Sequence, residues 1–430
     1  MKRYDTYKDS GVQWLGEIPG HWECTSLGRV LCEKLQYGAS ESGDLEYTND
    51  SMRYIRITDI TLDGKLKKDC CKYLSSEIGK NYPVRKGDVL LARSGATVGK
   101  AFIYNEDNEA CYAGYLIKAS IQQDKVVPTF FFYFTQTSQY DEWKNRIFIQ
   151  ATIQNISAEK YTRMKLCIPP LSEQHSIVSY LDDKCGKIDE WVTKKQKEVE
   201  HLQELKQRVI ADAVTRGLNP HVKMKTTNIP WLKEIPEHWE RTTLRKFLRL
   251  FSVKNHGDKQ LLSVTREQGV IVRDIESKEG NHNFIPDDLS GYKYVQIGDF
   301  VINKMKSWQG SYGVSNYEGI VSPAYYTCKL EGIDRTFFSL AIRSKIYVSF
   351  FGRYSKGIRV GQWDLSPFAL TSIPFAVPPL SEQKQIVSYL DAKTSKIDKL
   401  IANITKEIEC IKEYKQRLIS DVVTGQIKVC

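Results

Sequence analysis

Gly95-Ala-Thr-Val-Gly99-Lys100-Ala101 is the stretch of this chain whose spacing first suggests chemistry, because it looks like a phosphate-binding loop. Such a loop needs four residues between its glycines and a Ser or Thr after the lysine, to cradle phosphates and hold Mg²⁺. Here only three residues separate Gly95 from Gly99, and Ala101 follows Lys100. The run therefore reads as a tight loop after a strand at Val89–Ala92, presenting Arg93, Ser94, Gly95 and Thr97. No catalytic set appears elsewhere. There is no GxSxG, no HExxH, no GxGxxG after a strand and no Asn-Pro-Pro-Tyr-like methyltransferase motif. The seven histidines do not cluster, and packing on tryptophan is the expected role of His21 and His238. Ten cysteines form no CxxC pair, which predicts reduced thiols in a cytoplasmic protein and no zinc site.

What remains is polar and basic loop chemistry. A matching loop after a strand at Phe300–Ile302 presents Lys304, Lys306, Ser307, Trp308 and Gln309. A second loop occurs twice further on. Gln150–Ser157 carries Thr152, Gln154 and Asn155, and Arg359–Ser366 carries Arg359, Gln362 and Trp363. Arg pairs with guanine and Asn or Gln with adenine in the major groove, and Thr offers a methyl to thymine. An ordinary polar surface loop has the same composition, so both readings stay open on the residues alone.

Charge narrows the choice of partner. The net charge of +10 is unevenly spread: residues 217–380 carry 22 basic and 15 acidic groups, net +7, and residues 1–171 carry 23 and 21, net +2. Residues 172–216, with 8 basic and 9 acidic groups, are close to neutral. The basic excess of the loop-bearing segments suits a polyanion. No run approaches the ~20 apolar residues that span a membrane, and Met1–Asp9 has no apolar core of a signal peptide.

The elements that position these loops are written twice. Pro169-Pro-Leu-Ser-Glu-Gln174 returns as Pro378-Pro-Leu-Ser-Glu-Gln383, and Ile177–Asp182 returns as Ile386–Asp391, both at an offset of 209. Each copy predicts a long helix, over 172–216 and from 381 onward, with Ser172 and Ser381 as caps and Glu173 and Glu382 favoured by the dipole. Val178, Leu181, Cys185, Ile188, Val192, Lys195, Val199, Leu202, Lys206, Val209 and Ala213 are spaced by alternating threes and fours, as are Val387 to Val422 in the second copy. That spacing predicts a coiled-coil seam.

A second motif opens each repeat. Trp14-Leu-Gly-Glu-Ile-Pro-Gly-His-Trp-Glu23 matches Trp231-Leu-Lys-Glu-Ile-Pro-Glu-His-Trp-Glu240, at an offset of 217. The chain is thus expected to hold a first domain at 1–171, a helix at 172–216, a linker and second domain at 217–380, and a second helix with a short tail at 381–430. Gly217 and Asn219-Pro220 stop the first helix. The fold class is α+β, with strands at Tyr54–Thr58, Val89–Ala92, Tyr115–Ala119, Leu261–Val264, Phe300–Ile302 and Tyr325–Cys328. Aromatic-rich helices are expected at 130–146 and 336–354. A helix of 45 residues is about 67 Å long at ~1.5 Å per residue, more than a domain of ~30 Å can bridge, so the two helices are expected to be antiparallel.

This pattern resembles the specificity subunit of type I restriction–modification systems. The doubled Pro-Pro-Leu-Ser-Glu-Gln, the doubled Ile-Pro-x-His-Trp-Glu and Arg93–Gly99 carry the resemblance, which covers the whole chain. It implies two target-recognition domains joined by an antiparallel coiled coil, each reading half of a split, asymmetric DNA site. It also implies two docked adenine methyltransferase subunits, joined by restriction subunits with nuclease and motor activity. S-adenosylmethionine, ATP and Mg²⁺ then belong to those partners, and this chain binds no cofactor and performs no catalysis. Two other classes remain: a scaffold for protein partners, and an enzyme with an unrecognised DNA-modifying site.

Overall fold

Val89–Ala92 and Phe300–Asn303 are the fully buried inner strands of two equivalent antiparallel sheets. The first has the order Gln36–Tyr37, Leu116–Ala119, Val89–Ala92, Ala101–Ile103, and the second Leu248–Phe251, Tyr325–Leu330, Phe300–Asn303, Tyr312–Val314. The computed structural model describes every residue except 1, 44–46, 62–65, 68, 70, 96, 150–153, 230–231, 275–284, 287, 360–361 and 430, and omits the side chains of 149, 356, 358, 359 and 362. The described chain forms two compact units. One comprises Met1–Lys195 with Lys406–Cys430, and the other Gln196–Thr405.

The α+β class holds in both units. In the first, the order Lys72–Ser75, Ser51–Ile55, Ala110–Tyr112, Pro83–Val84 makes a further sheet, in which 110–112 runs parallel to 51–55. In the second, the hairpin Leu262–Thr265/Gly269–Val272 and the pair Lys293–Val295/Gly319–Val321 lie beside the main sheet. The strand expected at 54–58 ends at Ile55, because Arg56 begins a 3₁₀ turn closed by its own bonds to Asp59. The Gly-Asp turn before each inner strand is repeated in detail. Gly87 and Gly298 both have φ of +92°, and Asp88 and Asp299 each accept an amide three residues back at 2.8 Å.

Each aromatic-rich helix is two helices rather than one. Pro128–Phe134 and Ser138–Ile149 are separated by Thr135–Thr137, and Arg335–Ile342 and Lys345–Tyr354 by Arg343-Ser344. The Thr135 and Thr137 hydroxyls donate to the carbonyls of Phe132 and Phe134 at 2.6 and 2.8 Å, a local alternative to the helical ladder.

The long helices span Leu171–Arg216 and Leu380–Val423. They start one residue earlier than expected. The carbonyls of Pro170 and Pro379 accept the amides of Glu173/Gln174 and Glu382/Gln383, so Ser172 and Ser381 lie inside the first turn and cap nothing. Every residue of both expected seams is buried or half-buried. In the first unit Lys415 Nζ lies 2.6 Å from Asp189 Oδ1, while Gly425 sits against Trp22, which bonds Glu173 near the other helix's start. In the second, Lys206 Nζ lies 2.7 Å from Asp398 Oδ1, and Gly217 sits against Glu382. Within each unit the two helices therefore run antiparallel. Gly217, at φ +75°, ends the first as expected.

The expectation of reduced thiols fails at one pair. Cys24 and Cys167 are directly opposed on the antiparallel strands Glu23–Ser26 and Lys165–Ile168, with Cα atoms 4.2 Å apart, and form a disulfide. That distance places both thiols within bonding reach across the ladder. Arg241 and Ala376 occupy the equivalent pair in the second unit.

Candidate nucleic-acid interface

The two repeated motifs meet, and they anchor each domain to its helix. Glu173 accepts the Trp22 indole N–H at 3.1 Å and the Tyr4 hydroxyl at 2.5 Å, and His21 Nε2 lies 2.8 Å from its other oxygen. Burial pushes the Glu173 carboxyl up, but these bonds outweigh it and hold the group below the usual carboxylate range. In the second unit Trp239 donates to Glu382 at 3.1 Å and His238 lies 2.7 Å away. Next along, Gln174 accepts from Val127 N–H at 2.8 Å and donates to Pro169 O at 2.9 Å, and Gln383 does the same with Asp334 and Pro378 at the same distances. The histidines thus bond a carboxylate rather than only packing on tryptophan.

On this frame the two candidate loops of each domain come together. In the first unit the amide of Ile156 donates to the carbonyl of Arg93 at 2.9 Å, and Ser94 pairs with Asn155. In the second the amide of Leu365 donates to the carbonyl of Lys304 at 3.2 Å. Below each junction Ser157 and Ser366 cap the short helices Ala158–Arg163 and Pro367–Ser372 with their hydroxyls. The resemblance of 95–101 to a phosphate-binding loop also disappears at this level. The amides of Val98, Gly99 and Lys100 donate to the carbonyls of Gly95, Ala92 and Thr97, closing a hairpin and leaving no cradle among them.

In the first unit the Arg93 guanidinium lies 4.6 Å from the centre of the Tyr37 ring. Tyr37 is itself pinned by the Ala158 amide, which donates to its hydroxyl at 3.0 Å. Arg93 Nε and Asn155 Oδ1 are both shielded and without a partner among the described residues. Gln154 and Gly95 are exposed, and Ser94 and Thr97 half-buried. Thr152 lies outside the described residues.

In the second unit Lys304 is paired with Asp364 at 3.4 Å, and Lys306 is exposed. Ser307 is fully buried and donates to the Lys304 carbonyl, so it shapes the loop and faces no ligand. Gln309 is half-buried. The rings of Trp308 and Trp363 lie 5.7 Å apart at 31°. Arg359 and Gln362 are cross-strand partners in the hairpin Lys356–Arg359/Gln362–Asp364, and their side chains are outside the described set. Beside this site an open cavity of about 360 Å³ is lined by Phe251, Ser252, Lys293 and Tyr326. Burial and the nearby Lys254 and Lys304 all press the Lys293 ammonium below the usual lysine range.

Tyr37, Asp364 and Lys293 were not picked out from the sequence. No local motif marks Tyr37 and Lys293; Asp364 lies inside the Arg359–Ser366 loop, but its pairing with Lys304 exists only where the two loops cross. The Glu–Trp–His contact did have a signal, in that both of its halves repeat.

Comparison with known proteins places this geometry in a class. Residues 19–201 match the family model described as the type I restriction modification DNA specificity domain. Over 96% of its length the chain is 26% identical to the putative type I restriction enzyme MjaX specificity subunit of Methanocaldococcus jannaschii, covering 96% of that protein. It is 24% identical to the MjaVIII specificity subunit of the same organism, over 96% of this chain and 94% of the relative. Among solved structures, a chain from a type I R-M system superposes with a TM-score of 0.67 at 15% identity, covering 95% of this chain and 99% of that one. The HsdS subunit from Thermoanaerobacter tengcongensis superposes with a TM-score of 0.50 at 14% identity, over 95% and 98%. The resemblance read from the doubled motifs is borne out: over 96% of its length the chain is similar to specificity subunits of type I restriction enzymes.

Proposed function

We propose that this chain is the DNA-binding specificity subunit of a type I restriction–modification complex. Each unit reads one half of a bipartite, asymmetric DNA site. The long helices set the gap between the halves and dock two methyltransferase subunits, and restriction subunits join that core. The chain itself carries out no chemistry. S-adenosylmethionine, ATP and Mg²⁺ act on the partners.

The observation that carries this reading is the contrast between frame and loops. The Glu–Trp–His and Gln anchors are the same in both units, and the two loops cross at equivalent atoms. Yet Arg93 and Asn155 stand where the second unit has Lys304 and Asp364. One scaffold with two different surfaces suits two different half-sites, since base-edge contacts specify and backbone contacts position. The basic excess of the second domain suits a duplex.

The test is to map methylated adenines genome-wide in cells that express this chain with the modification subunits of its own host. A split motif that appears only when the chain is present is the expected result. Methylation independent of the chain, or a motif with one continuous half, would overturn it.

A further inference from the structure

The loop from Val89–Ala92 to Ala101–Ile103 has the same length as the loop from Phe300–Asn303 to Tyr312–Val314. Ala92 N–H donates to Lys100 O across it, and Asn303 N–H donates to Ser311 O. Arg93 and Lys304 start the two loops, so position follows position. Ser94 is matched by Met305 and Thr97 by Trp308. On the partner loop, Asn155 and Asp364 are matched, so Gln154 is matched by Trp363. Three polar residues of the first unit are thus three large apolar residues of the second, at one loop crossing.

These residues are shaped to face a ligand. Met305 is 44% exposed and Trp363 36%, and with Trp308 they put apolar surface at a single loop crossing. Trp363 faces Gly357 across the hairpin and lies beside Trp308, whose Nε1–H is shielded and has no acceptor among the described residues. The Met305 amide donates to Asn303 Oδ1 at 3.2 Å, which holds the tip of the turn. Exposed Lys306 follows the methionine, Lys304 precedes it while also paired with Asp364, and residues 217–380 carry a net charge of +7. An apolar point between lysines suits a duplex: the cations meet phosphates, and the apolar group meets a base step.

Resting on the DNA-reading function above, we infer that the second unit reads its half-site with an apolar wedge. Met305, backed by the Trp308–Trp363 pair, is set against a base step of duplex DNA, where the first unit uses hydrogen-bonding groups. Sequence is then read partly as deformability, since pyrimidine–purine steps open most easily. The second half-site should contain such a step, and the complex should bend its DNA there.

The experiment uses the full chain co-expressed with the methyltransferase subunits of its host, and a pool of randomised duplexes. The unmodified complex first selects its sequence, and end-to-end energy transfer on that duplex measures the bend. Met305→Ala and Trp363→Ala should each weaken binding by about tenfold, the scale of removing one apolar group from a base. They should flatten selection in the second half only and reduce the bend, while Met305→Leu and Trp363→Phe should keep both. Unchanged selection and bend in correctly folded alanine variants would overturn the inference. So would a loss of methyltransferase binding without a change in DNA preference, which would make the patch a protein contact. If the unmodified complex selects no sequence at all, it is the DNA-reading function that falls.

Discussion

The Trp22 indole N–H donates to Glu173 at 3.1 Å, and the Trp239 indole N–H donates to Glu382 at 3.1 Å. Tryptophan and glutamate sit at opposite ends of each domain's sequence, so one bond ties the start of the domain to the helix that leaves it. Replacing Glu173 with Gln removes the charge and leaves one acceptor oxygen where two served Trp22, Tyr4 and His21, so either a donor loses its acceptor or His21 must turn to accept. A buried donor left unsatisfied costs about 1–3 kcal/mol. Glu382→Gln should cost less, because Glu382 is more exposed. Denaturant unfolding with hydrogen exchange resolved by unit is the measurement. Glu173→Gln should loosen 1–195 and leave 217–380 protected, and uniform loss across both units would count against this account.

Glu173 also sets a pH dependence. Its carboxyl sits below the usual range in the folded chain, because the bonds from Tyr4, His21 and Trp22 outweigh the effect of burial. The stability it contributes is fully present above the unfolded-state pKa of about 4.3 and is lost as pH falls through the folded value. Melting temperatures should therefore drop on acidification from about pH 5 downward. The drop should be shallower in Glu173→Gln, which has nothing to protonate there. Parallel curves for the two proteins would rule the carboxylate out as a source of this acid sensitivity.

The helices and the frame were legible in the sequence because they repeat and because their period is long. Val178 to Ala213 recur at 3.5-residue spacing, and every one is at least half-buried. Local bonds were not legible. Nothing in Pro169–Gln174 says that the Pro170 carbonyl, rather than the Ser172 hydroxyl, takes the first amides. The disulfide was missed for a similar reason, since Cys24 and Cys167 are 143 residues apart and meet only through strand register. The same holds for Tyr37 beneath Arg93 and Asp364 beside Lys304.

The loop crossings predict separable recognition. Arg93→Ala and Gln154→Ala should weaken reading of one half-site only, by about 1–3 kcal/mol for each bidentate pairing with a base that the substitution removes. Lys304→Ala and Gln362→Ala should affect only the other half. Removing Lys304 also leaves Asp364 unpaired, so part of that effect would be repulsion from DNA. Selection from randomised duplexes, scored half by half, is the check. A change in one unit that alters both halves equally would refute the assignment of loops to half-sites.

The chain alone should transfer no methyl group from S-adenosylmethionine. The expectation follows from a sequence without methyltransferase motifs and from relatives that are specificity subunits. Tritium transfer to duplex DNA is the assay, run with and without the host's modification subunits. Robust transfer by a verified single-chain preparation would mean that a catalytic site lies in this chain.

The helices should act as a ruler. The first is continuous from Leu171 to Arg216 and so passes from one compact unit into the other, and the second spans Leu380 to Val423. One heptad can be inserted into each where the units divide, after Lys195 and after Thr405, which preserves the seam. Each helix then lengthens by about 10.5 Å, at ~1.5 Å per residue. DNA rises about 3.4 Å per base pair, so the gap between half-sites should grow by about three base pairs. Those base pairs also turn one half-site around the duplex by about 100°, at 10–10.5 base pairs per turn. Supercoiling of the helix pair cannot match that rotation in full, so affinity should fall while the gap widens. The bases read in each half should stay as they are, because neither recognition surface is touched. Genome-wide mapping of methylated adenines in cells carrying the variant gives both quantities at once. An unchanged gap at full activity would show that something other than the helices sets the distance.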